Sequence, residues 1–251
     1  MIPAGWPEGV ARHILPVTDS TNAHALRMAP ETPEPAWFLA QRQTAGKGRR
    51  ARAWDSPPGN FYGTLLLHPV EPPASVALRS FAAALALRQA LVGLTGLPEI
   101  FALKWPNDVL LNGGKLAGIL LESTATGQGI AHLAIGIGVN LISAPDPSAL
   151  EAGALRPVSL LAETGLRIAP KTLLAHLAPA YEHWEHRFTT EGFAPLRTEW
   201  LAHAARLGEK IRARTGQATH EGIFDTVDAE GNLILRTGAG TVAIPAAEVF
   251  F

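Results

Sequence analysis

Four short apolar runs follow one another between residues 101 and 139, at 101–104, 109–111, 116–121 and 130–139. Gly, Asn and Pro separate them, and Asn112-Gly113 is a dipeptide of the tight hairpin type. That strand-rich block ties the chain to folds built around a sheet. Around it, Asp19-Ser20-Thr21-Asn22 offers helix caps ahead of Ala23-His24-Ala25-Leu26, which predicts a short helix. Residues 36–41 and 61–67 read as strands, the first of them buried, and 42–60 is a long loop rich in Gly, Pro and Arg. Residues 74–94 have helical spacing and are stopped by Gly96 and Pro98. Residues 143–157 form a loop with three prolines, and helical patterns follow at 159–163, 170–188 and 193–204. After Leu207-Gly208 the character changes to apolar runs at 210–214, 221–227, 233–236 and 241–244, joined by Gly turns such as Glu230-Gly231-Asn232. This predicts an α+β chain in two parts, 1–207 and 208–251, the second a small β-barrel of the SH3 kind.

Composition narrows what such a chain does. With 251 residues and 47% hydrophobic content, a full core can be buried without staples. The absence of cysteine excludes a disulfide scaffold, a thiolate metal site and a cysteine nucleophile. A formal charge of −1 argues against coating nucleic acid by bulk electrostatics. Residues 1–10 hold Pro3, Pro7 and Glu8 and no basic segment followed by an apolar run, and 123–145 is too polar to span a bilayer. The apolar stretch 74–97 is broken by Arg79 and Arg88. The expectation is a cytoplasmic globular enzyme or binding protein, with no membrane partner.

The segment from Gln43 to Trp54 is the most informative. Lys47, Arg49, Arg50 and Arg52 fall close together with no acid before Asp55, beside Gly46 and Gly48. Glycines let the backbone approach a ligand and aim N–H groups at it, and the cations match phosphate or carboxylate. Trp54 supplies a flat face for a base. A solvated basic turn is the alternative. It is no Walker loop, since Gly113-Gly114-Lys115-Leu116 lacks the hydroxyl for magnesium, and the dinucleotide fingerprint fails as well. In Lys104-Trp105-Pro106-Asn107-Asp108, Pro106 ends a strand, and Asp108 either orients Lys104 or holds a magnesium ion. A strand-ending turn is the plainer reading. Lys115 opens a buried strand in which Gly118 leaves room for a ligand, and Gly136-Ile137-Gly138-Val139-Asn140 leaves similar room beside Asn140. A solubilising end lysine and a bulge with a turn asparagine are the alternatives there. His183 and His186 share one helix face without a third ligand and read as solvated.

Together these segments resemble biotin protein ligases. Asp19 to Asn22, Gln43 to Trp54, Lys104 to Asp108, Lys115 to Leu120 and Gly136 to Asn140 come in that family's order and at similar spacing, over about residues 13–142. The resemblance implies a class II synthetase-like biotin–lipoate ligase fold, a mixed sheet with flanking helices. It implies that biotin and ATP give biotinyl-5′-AMP with Mg2+, and that biotin then passes to a lysine of a biotin carboxyl carrier protein or domain. It further implies that Ser20, Thr21, Gln43, Gly46, Lys47, Arg49, Lys115 and Gly118 contact biotin. Asn22, Arg50, Arg52, Trp54, Lys104, Asn107, Asp108 and Asn140 would serve ATP and the adenylate, with Asp108 as metal ligand. Lys115 and Arg49 would be catalytic, Lys115 as an isolated surface-strand charge. A homodimer is compatible with it. Lys47 departs from the family's usual arginine and loses the bidentate fork, and Ala51 replaces a common glycine. Ala246-Ala247-Glu248-Val249 weakly echoes a Gly-Glu-Val ending, and family contacts beyond Phe251 are expected to be missing. The rivals are a lipoate protein ligase of the same fold, a biotin-sensing DNA-binding repressor, and a nucleotide binder without ligase activity. Too few residues precede the central segment for a helix-turn-helix, so no DNA partner is expected.

Overall fold

The fold is that of a computed structural model, which describes residues 5–127, 129–146, 148 and 153–251. The leader reading at 1–4 and parts of the turn near 128 and of the 143–157 loop lie outside the described residues. The first sheet takes β1 (Ala11–Leu15), β2 (Ala36–Ala40), β3 (Phe61–Leu67), β4 (Phe101–Lys104), β5 (Asp108–Leu111), β6 (Gly114–Thr126) and β7 (Gly129–Val139). Its order is β1-β2-β3-β7-β6-β5-β4. Only β1 and β2 run parallel, joined through α1 (Thr21–Met28), and every other pair is antiparallel. Asn112 (φ 49°) and Gly113 (φ 76°) make the β5–β6 turn, both left-handed as a two-residue hairpin of this type requires.

β7 shows how the sequence divides the two faces. Gly136 and Gly138 face α1 and the 42–60 loop, where added Cβ atoms would meet Asn22 and Trp54. Ile135, Ile137 and Val139 point the other way into the main core. That core is closed by α3 (Arg79–Thr95) and α5 (Pro170–Glu191), with α4 (Leu160–Thr164) and α6 (Phe193–Ala202) alongside. Each fully buried leucine of α3, such as Leu87 or Leu91, contributes on the order of 1.5–3 kcal/mol of burial. β2 is buried on both sides: Trp37 and Leu39 join the main core, while Phe38 and Ala36 pack under α1 with Ala25, Ala29 and Leu66.

The helix expected over 74–94 is two, α2 (Pro73–Ala77) and α3, and the break at Leu78 adjoins Arg79. By length and composition this stretch could cross a membrane, yet here it sits in the core of the fold. Arg79 is 3% exposed and donates to Glu185 at 2.7 and 2.9 Å and to Glu71 at 2.8 Å, and Tyr181 donates to Glu185 at 2.9 Å. Removing the cation strands these carboxylates. Arg79→Met is therefore expected to lower stability by about 2–4 kcal/mol. The double variant with Glu185→Leu should recover part of that loss in denaturant titration.

The second sheet holds β8 (Lys210–Arg214), β9 (Thr219–Val227), β10 (Leu233–Thr237), β11 (Gly240–Ile244) and β12 (Glu248–Phe250), all antiparallel, in the order β11-β10-β9-β8-β12. Phe224, Val227, Leu233 and Leu235 fill its inner face. The sequence reading missed β1 and β12, both short strands, the second adjoining the candidate site. A Trp105 Nε1 bond to the Gly231 carbonyl, 3.0 Å, ties the two sheets together next to the β4–β5 turn.

Candidate active site

One cavity of about 590 Å³ lies over the glycine face of the first sheet. Every site residue expected from the sequence lines it. The 42–60 loop folds back on itself: the Trp54 amide donates to the Gly46 carbonyl at 2.9 Å and the Gly48 amide to the Arg52 carbonyl at 2.8 Å. A Cβ on Gly46 would lie 2.5 Å from the Trp54 carbonyl oxygen, so only glycine permits this crossing. At the loop's tip Arg50 takes φ 57°, an uncommon conformation for a residue with a side chain.

At one end of the cavity the Gln43 Oε1 accepts from the Thr21 amide (2.8 Å) and hydroxyl (3.1 Å), while its Nε2 donates to Ser56 Oγ at 3.0 Å. Ser20 occupies the helix-capping position of α1 without making a side-chain cap. This end is neutral and rich in donors and acceptors.

The other end is ionic. Lys104 and Asp108 face each other across the β4–β5 pair. Asp108 Oδ1 lies 2.8 Å from Lys115 Nζ, and Oδ2 lies 3.7 Å from Lys104 Nζ. Burial pushes the Asp108 carboxyl up, but Lys115, Lys104 and Arg49 outweigh it and hold the group below the usual carboxylate range. Burial pushes the Lys104 ammonium down, against the pull of Asp108. Lys115 reaches this cluster because the β5–β6 register slips between Val109 and Leu110, a bulge. In a regular strand, residues three apart point to opposite faces. Here a Cβ on Gly118 would lie 3.7 Å from Lys115 Cε, so the two share the cavity face. The Trp54 ring packs onto Gly118 and Gly138, and Lys115 Nζ lies 5.8 Å from its centre.

Arg49 is half-buried between the two sheets, donating to Asn107 Oδ1 and to the Ala247 carbonyl, each at 3.3 Å. Asn107 in turn donates to the Ile119 carbonyl at 2.7 Å. Glu248 on β12 receives Arg50 (3.1 Å), Arg52 and Arg214 (2.9 Å). The bond from Arg52 holds its carboxyl down at about 2, with burial opposing and Arg214 assisting. A depressed carboxyl stabilises the fold above its ordinary pKa and loses that contribution as pH falls towards the folded value. The stability difference between the protein and Glu248→Gln should therefore be present at neutral pH and fade between about pH 4.5 and 2. Urea titrations across that range check it.

Three expectations change. Lys115 is no isolated surface charge, since it is paired with a buried carboxylate. Asp108 does not fit as a magnesium ligand, because two ammonium groups already take its charge. The Asn22 amide is spent on sheet residues, donating to the Leu120 carbonyl and Glu122, and is not offered to a nucleotide. The C-terminal segment contributes Ala247, Glu248, Val249 and Phe250 to the cavity. The Ala246-Ala247-Glu248-Val249 string was the only signal for that.

Comparison with known proteins gives the same picture. Residues 14–140 match the model of the biotin/lipoate A/B protein ligase family, and 207–251 match the biotin protein ligase C terminal domain. The chain is 56% identical, over 95% of its length and 99% of the relative's, to the biotin–[acetyl-CoA-carboxylase] ligase of Paracoccus denitrificans. It is 33% identical to the bifunctional ligase/repressor BirA of Bacillus subtilis, over 96% of this chain and 75% of that one. Among solved structures, the biotin protein ligase of Aquifex aeolicus in complex with biotin and ATP superposes with a TM-score of 0.79 at 25% identity, covering 95% of this chain and 97% of that one. Two matching family models, near-full-length relatives and a common fold leave one conclusion: the chain belongs to the biotin/lipoate A/B protein ligase family.

Proposed function

We infer that this protein is a biotin protein ligase, an ATP-dependent enzyme that activates biotin and joins it to a lysine of a biotin carboxyl carrier protein or domain. The observation that carries the reading is a single cavity with a neutral hydrogen-bonding end at Thr21 and Gln43 and a cationic end at Lys115 and Arg49. A cyclic urea suits the first and a carboxylate beside a phosphate suits the second. The Paracoccus relative supports the choice of biotin over lipoate. We divide the chain into a catalytic part, 1–207, and a small part, 208–251, on the change from one sheet to the other.

In the first step a biotin carboxylate oxygen attacks the α-phosphorus of ATP, and pyrophosphate leaves with the electron pair of the broken P–O bond. No base is required, because a carboxylate is ionised at neutral pH. The obstacle is repulsion between two anions. Lys115 would stabilise the charge growing between them and Arg49 would assist. Asp108, pinned between two ammonium groups, orients Lys115. Lys104 adds positive field from behind. Ser20, Thr21 and Gln43 would hold the urea ring, with the backbone at Gly46 and Gly118 along the ligand and Lys47 at its acid end. Trp54 would stack on adenine, with Asn107 and Asn140 near the base and Arg50 and Arg52 on the phosphates. In the second step a carrier lysine amine attacks the carbonyl carbon of the mixed anhydride, and AMP leaves. No magnesium ligand is assigned to this chain.

Labelled pyrophosphate is expected to exchange into ATP only when biotin is present. Exchange with lipoate and not biotin overturns the substrate. Nucleotide binding without exchange in either case overturns the enzyme.

A further inference from the structure

Ser20 and Thr21 stand at the start of α1, and Ser20 makes no capping bond that would fix that end. Asn22 fixes it instead. The side chain lies 4% exposed against one cross-strand row of the sheet, in which Thr64, Gly136 and Leu120 sit opposite one another on β3, β7 and β6. Thr64 Oγ1 donates to Asn22 Oδ1 at 2.7 Å. Asn22 Nδ2 donates to the Leu120 carbonyl at 3.2 Å and to Glu122 Oε2 at 2.8 Å. The amide cannot be reversed, because a carbonyl and a carboxylate only accept. The middle of the row must be glycine: a Cβ on Gly136 would lie 2.4 Å from Asn22 Oδ1. Both amide hydrogens are used, so Asn22 has no donor left for a ligand.

We propose that Thr64, Glu122 and Gly136 are positioning residues that act through Asn22 to hold Ser20 and Thr21 where they meet the urea ring of biotin. The reasoning rests on the ligase reading and extends it to three residues that do not touch substrate. Thr21 has two anchors. Gln43 fixes its amide and hydroxyl from the loop side, and the row fixes the next residue from the sheet side. Loss of the second anchor lets the first turn of α1 shift while Lys115, Trp54 and the ionic end stay as they are. The effect therefore falls on biotin and spares ATP.

The test is pyrophosphate exchange with biotin and ATP varied separately. Thr64→Val keeps the shape and removes the donor, leaving the buried Asn22 oxygen unpaired. It is expected to raise the KM for biotin about tenfold or more. The kcat and the KM for ATP should stay within about twofold. Thr64→Ser restores the hydroxyl and should restore the KM. Glu122→Ala, at a half-buried position, should repeat the pattern of Thr64→Val and guards against a misfolded valine variant. The proposal is overturned if the biotin KM of both variants stays near that of the unaltered protein. It is also overturned if the KM for ATP rises equally, or if serine behaves like valine. Absence of biotin-dependent exchange in the unaltered protein would overturn the ligase reading, and this proposal with it.

Discussion

Replacing Lys115 by alanine is expected to slow biotin-dependent pyrophosphate exchange by about 10²–10³-fold, the usual cost of removing one preorganised charge donor from a developing anion. The fall should sit in kcat more than in either KM, because the charge it would meet grows during the reaction. Asp108 holds the ammonium at 2.8 Å, and the bulge in β6 turns it into the cavity, so little reorganisation is required when the two anions approach. The variant will also be less stable than a surface substitution, because Asp108 is 8% exposed and is left with Lys104 at the longer distance of 3.7 Å. Thermal melting must therefore accompany the assay, which is read well below the melting temperature. Exchange within threefold of the unaltered protein would remove Lys115 from the chemistry.

Gly138→Val is expected to raise the KM for ATP about 10–100-fold, matching the roughly 1–3 kcal/mol that stacking a base on an aromatic ring contributes. A Cβ at this position would lie 2.7 Å from Trp54 Cε2 and Nε1. Trp54 is carried by a loop, so the ring can be pushed off the sheet without unfolding the core. Its assigned place beneath adenine is then lost. The KM for biotin should change much less, because Thr21 and Gln43 are bonded to each other and to Ser56 rather than to the displaced ring. Trp54→Ala should give a similar loss, and the double variant should be little worse than either single one, as expected for two changes that remove the same interaction. Additive losses would mean that Gly138 acts independently of Trp54.

The elements legible in the sequence share a physical cause. β3 and β4 were read to the residue, and α1 and the Asn112-Gly113 turn nearly so, because each has a local signal: an apolar run, a cap, or a dipeptide that tolerates left-handed backbone. β1 and β12 carry weak local signals. The first is an edge strand of mixed burial that pairs only through β2, and the second is three residues long. Glu248 was missed as a site residue for that reason, since its partners Arg50 and Arg52 lie almost two hundred positions away in the chain.

The sequence by itself determined the strand block and the cationic glycine loop, because residue type and short-range spacing encode those directly, while the set of residues gathered around one cavity came from the resemblance to a known family. What each residue is paired with was decided by the tertiary structure. A one-residue bulge put Lys115 over Gly118 and against Asp108, turning a strand-end lysine into the partner of a buried carboxylate. One row across three strands turned Asn22 from a ligand contact into an anchor. Pairing of this kind depends on register, and register is set by the packing of whole strands, which no local stretch of sequence contains.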